Sequence, residues 1–139
     1  MIKYLFIFNY MLLLYACYTD IINRRIKNKT VIIVCILSLA IGFIQHDLPV
    51  IKLPLVIIVV GFFLSLLGLL GFGDVKLIFA LSFSLSNELI GHFILMTAAS
   101  GFFVGIIALC WGGYKRKRMT VPYGVAITLG YLLVTAPTL

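Results

Sequence analysis

From Leu89 to Trp111 the chain runs without a single Asp, Glu, Lys or Arg, and that run alone restricts the fold. A helix needs about 20 consecutive apolar residues, at 1.5 Å per residue, to cross the ~30 Å hydrocarbon core of a bilayer. Five further apolar runs, at residues 2–19, 30–45, 53–70, 75–87 and 121–137, are separated only by short polar or Gly/Pro stretches. With 63% hydrophobic residues, 11% charged residues and a mean hydropathy of +1.22, the chain lies far outside the soluble range. The expected fold is all-α and integral to a membrane: one domain over residues 1–139, built as a bundle of about six transmembrane helices with short loops. No internal repeat, low-complexity tract or flexible linker divides it.

The basic residues set the expected orientation, because Lys and Arg favour the cytoplasmic side of short loops. If the connections after the first, third and fifth helices face the cytoplasm, they hold Arg24, Arg25, Lys27, Lys29, Lys76, Lys115, Arg116, Lys117 and Arg118, leaving only Lys3 and Lys52 outside. Both termini are then external. The runs NRRIKNK and YKRKR read first as anchors that also touch anionic lipid headgroups. The +7 charge is divided between short loops with no space for a nucleic-acid-binding module, so nucleic acid is not an expected partner. The first run also resembles a secretory signal with Leu14-Tyr15-Ala16-Cys17 as a cleavage box. Tyr15 suits such a box poorly, and the downstream basic cluster would hold that end in the cytoplasm, so the helix is expected to be retained.

Only four acids are present. Asp20 ends the first helix and Asp74 opens the fourth, which puts two carboxylates on the cytoplasmic face; Asp47 and Glu88 fall in the external loops. An ionisable group near the hydrocarbon costs up to about 2.5–3.5 kcal/mol and is by default a functional candidate, although Asp74 also gains from a helix N-terminus. Gly71 and Gly73 flank Phe72 just before Asp74, where glycine lets the backbone turn sharply and another segment approach. Gly101 and Gly105 form a GxxxG pair that reads as close helix packing. Cys17, Cys35 and Cys110 are scattered singly, with neither CxxC spacing nor a nearby His, and read as core residues. His46 and His92 lie in or beside the external loops, so no metal site and no cofactor is expected.

At Gly71-Phe72-Gly73-Asp74-Val75-Lys76 the chain resembles the type IV prepilin peptidases, membrane aspartyl proteases with a GxGDxK signature. The family's second element, an Asp at a cytoplasmic helix end followed by Ile-Pro-Asn, is similar to Asp20 with Ile26-Lys27-Asn28, Lys27 standing in place of Pro. Its third, a Pro-Phe-Gly-Pro entry to the last helix, is similar to Val121-Pro122-Tyr123-Gly124-Val125. The resemblance implies that Asp20 and Asp74 are catalytic, supported by Gly71, Gly73, Lys76, Asn28, Pro122 and Gly124. It implies cleavage of a basic leader from a pilin-like precursor at the cytoplasmic face of a bacterial inner membrane. Larger members also methylate the new N-terminus through a region with paired cysteines; this chain resembles the short, peptidase-only form of Flp or tight-adherence pilus systems, and methyltransferase activity is not expected.

Two other readings compete. Presenilin-like or signal-peptide-peptidase-like GxGD proteases pair that motif with Tyr-Asp and Pro-Ala-Leu, which this sequence lacks. A small proton-coupled carrier or pilus-assembly scaffold could use the acids for ions or packing, but carriers place ionisable groups near the midplane, whereas both acids here are expected at one interface.

Overall fold

The computed structural model describes residues 2–23, 26–46, 51–68, 70–115 and 123–138. Six α-helices follow one another: α1 (Ile2–Asn23), α2 (Asn28–His46), α3 (Lys52–Leu66), α4 (Phe72–Ser82), α5 (Asn87–Lys115) and α6 (Tyr123–Thr135), with one 3₁₀ turn at Ala136–Thr138. Among the described residues there is no strand. The all-helical expectation therefore holds. Three of the helices, α1, α2 and α5, are long and apolar enough to cross a membrane. The others are shorter than their apolar runs led one to expect, at 15 residues for α3, 11 for α4 and 13 for α6.

Local chemistry explains where the short helices end. Gly68 adopts φ +74°, a conformation that costs glycine nothing, and its N–H donates to the Ser65 carbonyl at 3.0 Å. This is the inner bond of a Schellman closure, and it stops α3 although the apolar run continues. Helix α4 starts earlier than its run, at Phe72, and stops at Ser82. There the Ser82 hydroxyl donates back to the Ile78 carbonyl and the Ser84 hydroxyl to the Leu81 carbonyl, both at 2.8 Å. Such bonds compete with the helical ladder, and the chain turns into α5 two residues later.

Helix α4 lies at the centre, packed on α2, α3 and α6; α5 lies along α6, and α1 joins α2 to α6. One core runs through the bundle, with Phe6, Leu13, Val34, Ile41, Leu77, Leu81, Phe93, Ile127 and Tyr131 fully buried. Apolar side chains gain little by leaving lipid for a protein interior, so van der Waals fit and interhelical hydrogen bonds choose the arrangement. Both are visible here. Buried Asn9 of α1 donates to the Ser38 hydroxyl of α2 and to the Tyr131 hydroxyl of α6, and that hydroxyl bonds Ser84 at 2.8 Å. Each such bond contributes about 0.6 kcal/mol, and together they tie three helices and the α4–α5 turn in one register. Between α5 and α6, a methyl group on Gly130 would fall 2.7 Å from the Thr97 backbone nitrogen, so only glycine permits that crossing.

Candidate active site

Asp20 stands in the last turn of α1, an unfavourable place for an anion because the free carbonyls of a helix C-terminus carry partial negative charge. Another helix supplies the compensation. The Gly124 N–H, one of the unpaired donors in the first turn of α6, donates to Asp20 Oδ2 at 2.9 Å. Asp20 is thus held at the positive end of α6. The approach is close: a methyl group on Gly124 would lie 2.8 Å from Oδ2 and 3.2 Å from the Cβ and Cγ of Asp20.

Asp74 is the third residue of α4, with Gly71 as the cap in an extended conformation (φ −74°, ψ 142°). The Gly71 carbonyl accepts the N–H groups of Asp74 at 3.1 Å and Val75 at 3.2 Å, and the Asp74 carboxyl accepts the Gly71 N–H in return. This is one half of a capping box, the half made by the N3 carboxyl, since the glycine cap has no side chain to return the bond. A methyl on Gly71 would fall 2.7 Å from Asp74 Oδ2. Each carboxyl is therefore cradled by a glycine N–H at the start of a helix, in a space that a side chain would fill.

The two acids are also brought together. A methyl on Gly73 would touch Ile26 Cβ at 3.4 Å, which places the start of α4 against the connection that follows Asp20. Both acids are buried, each 9% exposed, and the charge of Asp20 acts directly on Asp74. Asp74 precedes the apolar run 75–87 and lies outside the three membrane-length helices. Burial raises its carboxyl, the neighbouring Asp20 charge raises it further, and the Gly71 N–H pulls it back, leaving it at about 6 against an ordinary 3.8. Asp74 therefore keeps its proton to a higher pH than an ordinary carboxyl.

Of the residues singled out in the sequence, Asp20, Asp74, Gly71, Gly73 and Gly124 converge here. Lys76 is exposed on α4, and Asn28 is exposed as the first residue of α2. Pro122 and Asp47 lie outside the described residues. Glu88 and His92 are exposed together on α5, where the His92 ring meets the Glu88 carbonyl at 2.9 Å. The reading of the cysteines as core residues needs correction in part: Cys110 is exposed and Cys17 is only partly buried, whereas Cys35, also partly buried, packs against the core.

Cys17 and Thr128 were missed as neighbours of the site. The Thr128 hydroxyl donates to the Gly124 carbonyl at 2.9 Å, and the Cys17 thiol donates to Thr128 Oγ1 at 3.0 Å and to the same carbonyl at 3.4 Å. Gly124 is therefore fixed from both sides of its peptide, by Asp20 at one end and by Thr128 with Cys17 at the other. The available signal was helical spacing: Cys17 precedes Asp20 by one turn, and Thr128 follows Gly124 by one.

Three helices of membrane length mark a membrane protein, and two buried acids approach one another within it. The chain belongs to the type IV leader peptidase family, whose model matches residues 7–109. Membership implies a protease, aspartic in type. The matched region contains both acids and ends before α6, so the Gly124 contact with Asp20 is information the structure adds. Comparisons with curated proteins and with solved structures gave no significant match.

Proposed function

We propose that this chain is an aspartyl endopeptidase that removes the basic leader from type IV pilin-like precursors, with Asp20 and Asp74 as its catalytic residues. The observation that carries the reading is the pairing of two buried carboxyls from distant parts of the chain, each cradled by a glycine N–H and coupled by charge. Because Asp74 is the carboxyl held toward its protonated form, the base is assigned to Asp20, which takes a proton from water as the water attacks the scissile carbonyl. Asp74, held toward its protonated form, donates to the carbonyl oxygen. The pair titrates as a unit, and the proton gained by Asp20 is then available to the leaving amine.

In this reading the apolar lengths of all six helices are embedded in the bacterial inner membrane, the short ones shielded by their neighbours, and the first turn of α4 with Asp74 stands outside the span, at the cytoplasmic interface. The ends that carry Asp20, Asp74 and Gly124 face the cytoplasm, and both termini are external. Lipid headgroups meet the basic loops, while the precursor's apolar helix stays in the bilayer. The enzyme leaves the new N-terminus unmethylated. The deciding experiment is cleavage of a purified pilin-like precursor by the purified protein. Asp20→Asn and Asp74→Asn should each abolish cleavage at unchanged membrane abundance, whereas Asp47→Asn and Glu88→Gln should cleave normally. Near-normal cleavage by either of the first two defeats the two-carboxyl mechanism.

A further inference from the structure

Two hollows open on one side of the bundle. The larger, about 480 Å³, lies between α4, α5 and α6, and the smaller, about 250 Å³, between α3, α4 and α5. Leu70, Ile78 and Ile94 line both, so the two join into a single trough with α4 as its floor and α3 and α5 as its walls. Its lining is almost wholly apolar. One end of the trough is specific. Leu70 directly precedes Gly71, which cradles Asp74, and Tyr123 directly precedes Gly124, which cradles Asp20; both residues line the trough. The trough therefore reaches the chain neighbours of the two glycines that cradle the acids, and Val75, next to Asp74, lines it as well.

We infer that this trough seats the apolar transmembrane helix of the precursor, and that it thereby presents the peptide just beyond that helix to Asp20 and Asp74. The inference rests on the peptidase reading above. Nearness to the acids is what selects this occupant: a helix lying in the trough leaves it beside the site, as a substrate cut at the edge of its membrane helix must. The α5 wall carries Ile94, Ala98, Phe102 and Ile106 along the trough, while Gly101 packs against Ala126 and Tyr123 of α6. From Ile94 to Gly105 the wall extends about 16 Å at 1.5 Å per residue, or about three helical turns.

The test compares two substrates, the full precursor and a short soluble peptide that spans the cleavage junction but lacks the apolar helix. Ala98→Leu fills the trough on its α5 wall, on the side of Gly101 away from Tyr123. The expected result is a fall of about tenfold in kcat/KM for the precursor relative to the short peptide, the scale on which apolar contacts discriminate substrates. An unchanged ratio overturns the trough as the docking site. In a second arm, Asp20→Asn enzyme carries a photo-cross-linking residue at position 94 or 106, or at position 11 on the exposed face of α1. Adducts with the precursor helix from 94 and 106 but not from 11 support the inference. Equal adducts from all three, or adducts only with lipid or with a second copy of the enzyme, overturn it. A wild-type protein that cuts neither substrate brings down the peptidase reading itself, a different result from cutting both with an unchanged ratio.

Discussion

Asp74→Asn should make the protein more stable while removing its activity. Raising the carboxyl from 3.8 to about 6 costs the folded state about 3 kcal/mol at pH 7.5, at 1.36 kcal/mol per tenfold change in proton affinity. The sign follows from the raised value. Below pH 3.8 the group is protonated in both folded and unfolded states and the cost vanishes; it grows between 3.8 and about 6 and is complete above that range. At pH 4.5 it has fallen to about 1 kcal/mol. Asparagine removes the charge while its side-chain oxygen can still accept the Gly71 N–H, but burying the amide costs about 1 kcal/mol. The expected net gain is therefore about 2 kcal/mol at pH 7.5 and about zero at pH 4.5. SDS titration of the protein in mixed micelles at the two pH values measures both. A variant less stable than wild type at pH 7.5, or a gain of the same size at both pH values, would refute the account of Asp74 as a buried carboxyl destabilised by its surroundings.

Gly124→Ala should cut kcat by about 100-fold through displacement of Asp20, in line with the cost of a small misplacement, while unfolding titrations show a loss of only about 1–3 kcal/mol from overpacking; normal turnover would mean that the 2.8 Å approach has no catalytic weight. The pH profile of kcat/KM should fall on its basic side with a midpoint at about 6, as Asp74 loses the proton it is to donate, and a profile flat from pH 5 to 8 contradicts that role. Mass spectrometry of mature pilin made by the purified enzyme should find a free, unmethylated N-terminus; methyl addition would show an activity this reading denies. Cysteine labelling should reach positions 25 and 116 only from the cytoplasm and positions 47 and 88 only from outside, and external labelling at 25 would invert the proposed topology.

The acids were legible in the sequence because charge is rare in so apolar a chain: Asp20 and Asp74 stand out wherever the helix boundaries are drawn. Gly71 and Gly73 were legible for a similar reason, as a cluster at the break between two apolar runs. The environment of Gly124 was not. Its contact with Asp20 joins residues 104 apart in sequence, and Thr128 and Cys17 look like ordinary small residues of a membrane helix until the crossing of α1 and α6 is known. Helix ends were blurred because lipid-facing and core-facing residues are equally apolar here, so the pattern that marks a buried face in water is absent. What ended α3 and α4 were one glycine turn and two serine back-bonds, each too local to register against a run of Leu, Ile and Phe.

The short helices have a consequence for the surrounding bilayer. At 1.5 Å per residue, α3, α4 and α6 measure about 22, 16 and 20 Å, against a hydrocarbon core of ~30 Å. Helix α3 turns Leu55, Val59, Phe63 and Leu66 outward, so with all six helices embedded as proposed, the flank it forms is thinner than the membrane around it. Lipid next to that flank must compress or tilt to cover it, at a cost of fractions of a kcal/mol for each ångström of mismatch. In the proposed embedding that patch adjoins the trough through α3, and a headgroup layer drawn inward there would approach the carboxyl pair. A precursor arriving along that flank would meet water and the two acids at a depth where its own helix, in an undisturbed bilayer, would still be covered by acyl chains.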